Sequence, residues 1–216
     1  MEYVYKYVSF KPPHKKTLEN ILGNRIYFNK SSDKKFENDC VVLSEHEINT
    51  IGIFSTSDSF KNKHLWEKFG YGSSGICIEY NLNKILETTN YLKQKKVEYT
   101  IEDCHLSNNL FILTEKFKEE EEIRFVLSNI TSEDDRVVTL LENTMSSVFL
   151  GVDFFSCHSF KREKLDFFIQ INPNTPIIHM TNFSCFNSYK TLTKDELITK
   201  LNDILSKKTE DATIPN

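Results

Sequence analysis

Leu65-Trp66-Glu67-Lys68-Phe69-Gly70-Tyr71-Gly72-Ser73-Ser74-Gly75-Ile76-Cys77-Ile78-Glu79-Tyr80 carries the only Trp of the chain and three of its six glycines. It reads as the end of a helix, a glycine-rich turn and an apolar strand. A chain that spends glycine so sparingly needs it here for a tight reversal or a close backbone approach, because glycine alone lacks a Cβ. At least one of the three glycines is expected at positive φ. The string Gly70-x-Gly72-x-x-Gly75 imitates a dinucleotide-binding fingerprint. It runs from helix to strand, whereas a phosphate turn runs from strand to helix, so that reading is rejected.

Outward from this stretch the elements are short and mixed. Residues 3–10 alternate aromatic and polar side chains and read as a strand. A helix over 16–22 precedes Gly23, a candidate C-cap, and 25–28 form a second strand, followed by a polar loop over 29–38. Strands are expected at 51–55, 76–80, 97–99, 121–128, 148–152 and 176–181. Helices are expected through Leu65, Trp66 and Phe69 with Ser57 or Asp58 as cap, from Asn81 or Asn83 to Gln94, over 107–118, after Ser132, and over 160–171. A last helix opens at the capping box Thr193-Lys194-Asp195-Glu196. Strands and helices do not alternate strictly. That predicts a single α+β domain over 1–206, with a mixed or mostly antiparallel sheet and flanking helices, and a disordered tail over 207–216.

Composition narrows the function classes. A formal net charge of −4 argues against a general nucleic-acid binder, which needs a basic field; a local patch around Lys93 to Lys96 is the exception. Five widely spaced cysteines without a Cys-x-x-Cys pair argue against a disulfide framework and a structural zinc site. The six histidines include no pair at ligand spacing, so no metal site is expected. Residues 1–7 lack a basic-then-apolar leader, and no apolar run reaches membrane length. The expectation is a cytoplasmic protein that needs no cofactor to fold and has no membrane partner.

Two clusters can carry chemistry. In Glu120-Glu121-Glu122-Ile123-Arg124, alternation on a strand puts Glu120, Glu122 and Arg124 on one face, while Ile123, Phe125 and Leu127 point into the core. One carboxylate can act on a ligand while Arg124 keeps its neighbour charged. An ordinary Glu–Arg pair on an edge strand is the plainer alternative. Ile53-Phe54-Ser55-Thr56-Ser57 is a strand ending in hydroxyls. Ser57 suits a helix cap, which leaves Ser55 without a structural purpose.

An ordered set of motifs resembles the bacterial family known as domain of unknown function 2971 (DUF2971). The set runs Tyr5-Lys6-Tyr7, Ile26-Tyr27-Phe28, Asn38-Asp39, Phe54-Ser55 and Leu65-Trp66. It continues with Gly75-Ile76-Cys77-Ile78-Glu79-Tyr80, Lys116, Glu120-x-Glu122-x-Arg124 and Phe149-Leu150-Gly151. Cys40 stands where the family usually has Pro, and Phe117 is the nearest aromatic before the acidic run, where the family usually has one adjacent. The order of motifs is also similar to that of ADP-ribosyltransferase-type folds. That resemblance implies NAD as a substrate, Tyr5 and Tyr7 flanking the nicotinamide ribose and Ser55 positioning it. It implies Glu122 or Glu120 as the catalytic carboxylate, with Arg124 in support. The alternative is a non-catalytic module that binds a nucleotide or a protein in a bacterial defence or stress system.

Overall fold

Tyr3–Val8 (β1) is a strand whose alternate side chains meet different surroundings. Val4 and Val8 are fully buried in the main core, and Tyr5 and Tyr7 pack in a smaller aromatic cluster on the other face. This computed structural model describes residues 2–30, 44–101, 109–156, 159–182 and 188–210. After β1 come Lys15–Leu22 (α1), Arg25–Tyr27 (β2), Asn29–Lys30 (β3), Glu45–Thr50 (α2), Gly52–Ser57 (β4) and Lys63–Lys68 (α3). Then follow Ile76–Asn81 (β5), Leu82–Leu86 (α4), Leu92–Lys96 (β6), Glu98–Thr100 (β7), Ile112–Thr114 (β8) and Glu122–Leu127 (β9). The chain closes with Val137–Thr139 (β10), Met145–Leu150 (β11), Lys161–Gln170 (α5), Ile177–Met180 (β12), Tyr189–Leu192 (β13) and Lys194–Glu210 (α6).

One large sheet organises these elements, in the order β13-β12-β11-β5-β1-β4-β9-β6, with β3 also on β4. Its pairs are antiparallel except β11 with β12. With helices packed around it, the chain is a single α+β domain. Two two-stranded ladders, β2 with β10 and β7 with β8, lie off it.

The sheet is not uniform. β1 pairs with β5 along its whole length, from Tyr3↔Asn81 to Val8↔Ile76. β4 pairs with β9 just as fully, from Gly52↔Leu127 to Ser57↔Glu122. Between β1 and β4 there is a single pair, Tyr5↔Ser57. On the same edge of β4, β3 takes only Ile53 and Gly52. The edge at Phe54, Ser55 and Thr56 is left open, and the sheet consists of two halves joined at one rung.

The glycine-rich turn is built differently from its glycines' first impression. Only Gly72 has positive φ (60°), and it lies between Tyr71 (53°) and Ser73 (70°). Three successive left-handed residues are costly for L-residues. They are held because Gly75 N–H donates to the Gly70 carbonyl at 2.8 Å and Asp153 N–H to the Ser73 carbonyl at 3.1 Å. Gly75 is required for space instead, since a Cβ there would lie 2.5 Å from the Val8 carbonyl oxygen. Trp66 is fully buried against Tyr7, ring centroids 5.1 Å apart, and its indole N–H donates to the Phe60 carbonyl at 2.8 Å.

Several expected elements change. The helix holding Trp66 is capped by Asn62, whose side chain accepts from Leu65 N–H, while Ser57 belongs to β4. The helix from Asn81 stops at Leu86, and Leu92–Lys96 is an edge strand on β9. Its lysines suit an edge that must not recruit another strand; Lys95 pairs with Glu98 and Lys96 with Asp58. Of the helix expected over 107–118, residues 110–118 contain β8 and the start of a 3-10 helix, Glu115–Glu120, and 107–108 lie outside the described residues. The acids after Ser132 open only a 3-10 turn, Asp134–Arg136, in which Asp135 accepts from Thr131 and Ser132 N–H. Ile169 on α5 is 52% exposed, and Phe69 is only partly buried. The Thr193 capping box forms as read, and α6 runs to Glu210, past the boundary expected at 206. Residues 211–216 lie outside the described residues, as do Asn38, Asp39, Cys40, Cys104, Cys157 and Cys185.

Candidate functional site

A cavity of about 350 Å3 opens at the rung where β1 and β4 part. Its size is that of a small-molecule site. Tyr5, Tyr7, Ser55, Glu120, Glu122 and Arg124 all line it. It is lined from both faces of the sheet, because the missing rungs leave a gap that a continuous ladder would close.

On one face, cross-strand register sets a row of polar side chains. Residues directly opposite in an antiparallel pair share a face. Ser147, Glu79, Tyr5, Ser57 and Glu122 are consecutive partners across β11, β5, β1, β4 and β9. Ser55 and Arg124 form the neighbouring row. The Glu122 carboxylate takes the fork of Arg124: Nε donates to Oε1 at 2.8 Å and the guanidinium's second arm to Oε2 at 3.2 Å. The third guanidinium nitrogen donates to the Leu110 carbonyl at 2.7 Å. Glu122 is 5% exposed and Arg124 1%. A buried carboxylate is tolerated there because a bidentate cation faces it. The Glu122 backbone is pinned as well, its N–H donating to the Tyr99 hydroxyl at 2.8 Å. β9 is therefore an interior strand, and the Glu–Arg pair is not an exposed edge pair.

Glu120 reaches the cavity by another route than expected. It ends the 3-10 helix, and Glu121 takes a left-handed φ of 47° that turns the chain into β9. Glu120 does not share a strand face with Glu122. Its carboxylate pairs with Lys68 of α3, a cavity residue the sequence reading missed.

The hydroxyls divide into used and free. The Tyr7 hydroxyl donates to the Ser59 carbonyl at 2.7 Å and accepts from Asn62 N–H at 3.2 Å, which ties β1 to the start of α3. Tyr5 donates to Glu79 Oε1 at 3.0 Å. Burial, reinforced for Tyr5 by the Glu79 charge, pushes both phenols above their ordinary range, so they stay neutral. The Ser55 hydroxyl, in contrast, has no hydrogen-bond partner among the described residues. Its own carbonyl, on the open edge of β4, accepts from the Lys6 ammonium at 2.6 Å. That bond takes the place of a ladder partner. Lys6 also lies 5.0 Å over the Phe54 ring. The signal that could have found Lys6 is its position between Val4 and Val8, a charge in the middle of a core-facing stripe.

Among the described residues no group of three His, Cys, Asp or Glu side chains can hold a metal ion, and no helix is long and apolar enough to cross a membrane. Cys77 is fully buried, and burial pushes its thiol well up, out of nucleophilic range. Comparison of the chain with protein-family models, with curated proteins and with solved structures gives no match.

Proposed function

We propose that the seam cavity binds a nucleotide of the NAD class and cleaves its N-glycosidic bond, either to water or to an acceptor group. The observation that carries this reading is Glu122: a carboxylate fixed by Arg124 inside a cavity, beside a free Ser55 hydroxyl and the aromatic face of Tyr5. In that reaction the bond from the sugar carbon to the pyridinium nitrogen breaks, and both electrons go to the ring. Positive charge develops on the sugar, and a pre-positioned carboxylate stabilises it. Glu122 has that role, Ser55 positions a ribose hydroxyl and Tyr5 packs against the ring. Water or an acceptor hydroxyl then bonds to the sugar carbon and releases its proton. The motif order resembling DUF2971 and ADP-ribosyltransferase-type folds supports the same reading. The test is nicotinamide release from NAD by the purified protein, measured by chromatography. Glu122→Gln is expected to lower the rate by about a hundred- to a thousand-fold, with its circular dichroism unchanged.

A specific observation favours the second reading, a binding module without catalysis. Both carboxylates already have their own cations, Arg124 for Glu122 and Lys68 for Glu120. In that case NAD or a related nucleotide binds and is recovered unchanged.

A further inference from the structure

The cavity has a second lobe on the opposite face of the sheet, under α1 and β2, and its chemistry is the inverse of the first. Asn20, Thr17, His14, Arg25 and Lys6 line it, and no acidic side chain does among the described residues. The lobe with Glu120 and Glu122 balances its acids against Lys68 and Arg124. In the α1 lobe the exposed guanidinium of Arg25 has no acidic neighbour among the described lining residues.

Two details mark it as a place for a ligand. Asn20 is 7% exposed, and its Nδ2 has no hydrogen-bond partner. A buried donor left unsatisfied is costly and rare in native proteins. Arg25 makes no ion pair or side-chain hydrogen bond with any described residue. Its guanidinium lies against Gly23, where a Cβ would sit 2.7 Å from Nε. Gly23 is the C-cap of α1, as read from the sequence, and has an ordinary φ of −80°. The left-handed residue is Asn24, and the bare backbone at Gly23 instead gives the guanidinium its place.

We infer that this lobe binds the phosphate groups of the ligand, with Arg25 and Asn20 as donors, while the sugar reaches through the seam towards Glu122. The inference rests on the nucleotide reading above and names the part of the ligand that the α1 lobe takes. A phosphate oxygen satisfies Asn20 Nδ2, and the planar guanidinium fork matches two phosphate oxygens.

Arg25→Gln removes the charge at an exposed position. Asn20→Leu removes the buried donor at nearly constant shape. Binding of NAD, of nicotinamide riboside, which has no phosphate, and of inorganic pyrophosphate is measured by calorimetry for wild type and both variants. Each variant is expected to weaken NAD and pyrophosphate by about tenfold or more and to leave nicotinamide riboside within about twofold. Asn20→Leu is also expected to raise the melting temperature of the free protein, because the unsatisfied donor is gone. Unchanged NAD affinity in both variants, or equal losses for NAD and the riboside, overturns the phosphate lobe and leaves the Glu122 reading standing. Pyrophosphate binding that Arg25 and Asn20 control, without any NAD binding, supports the lobe and ends the NAD reading. Wild type that binds neither NAD nor pyrophosphate overturns both.

Discussion

The two edges of β1 are built to opposite standards. Towards β5 every residue from Tyr3 to Val8 has a partner, and Val4, Tyr7 and Val8 are buried in the two core clusters. Towards β4 one rung is made, and the Ser55 carbonyl beyond it is met by a lysine side chain, while the Ser55 hydroxyl has no partner among the described residues. A β-sheet gains its stability from continuous pairing, and an unpaired edge costs hydrogen bonds. An interior gap of this kind lowers stability where it lies. Here it contains two paired carboxylates, a free serine hydroxyl and an unsatisfied buried amide. The ladder edge supplies rigidity, and the seam supplies a site.

The sharpest way to break this contrast is to remove the support of β1 away from the seam. Trp66→Ala is expected to destabilise the protein by about 3–5 kcal/mol in urea denaturation. A loss near zero would mean that Trp66 does not brace β1 through Tyr7.

At the seam, Arg124→Ala leaves Glu122 buried without its cation and is expected to cost about 3–5 kcal/mol, near the upper limit of what a single site costs. The double variant Glu122→Gln/Arg124→Met is expected to recover most of that loss, since it removes both charges. Equal losses in the single and double variants would show that packing and not charge holds this point.

Lys6→Met tests the bridge across the gap. It removes a charged hydrogen bond and is expected to cost about 1.5–3 kcal/mol. Amide hydrogen exchange is expected to rise at Phe54–Thr56 and to stay unchanged in β5. A rise spread evenly over both edges would remove the distinction between them.

The smallest effect is at Tyr99, which accepts the Glu122 N–H. Burial pushes its phenol up to about 12, against about 10 for a free tyrosine. The folded state therefore favours the neutral phenol. Its contribution is complete below pH 10 and is lost as the pH rises from about 10 to 12. Tyr99→Phe is expected to cost about 1 kcal/mol at neutral pH, and the gap between wild type and variant should shrink over that alkaline range in melting curves.

The sequence was most legible where a strand carries its own pattern. Alternation in Tyr3–Val8, Ile76–Asn81 and Glu122–Leu127 reveals both faces of each strand, and with them several of the residues that now line one lobe. It failed where pairing overrides composition. Leu92-Lys93-Gln94-Lys95-Lys96 is rich in helix formers, yet β9 offers it an edge to complete. Leu110, Leu113 and Phe117 keep helical spacing, although the chain between them runs through β8 into a 3-10 helix. The α1 lobe was illegible for a different reason. Asn20 and Arg25 acquire meaning only because β1 and β4 part in front of them, and no local pattern announces a missing rung.

Hydrogen exchange of the wild-type protein with and without saturating NAD tests the seam as a ligand site most directly. The expected result is new protection in peptides covering Gly52–Ser57, α1 and the start of β9, with the β1–β5 ladder unchanged. Exchange that NAD leaves unaltered along the seam, or protection that appears only elsewhere, contradicts it.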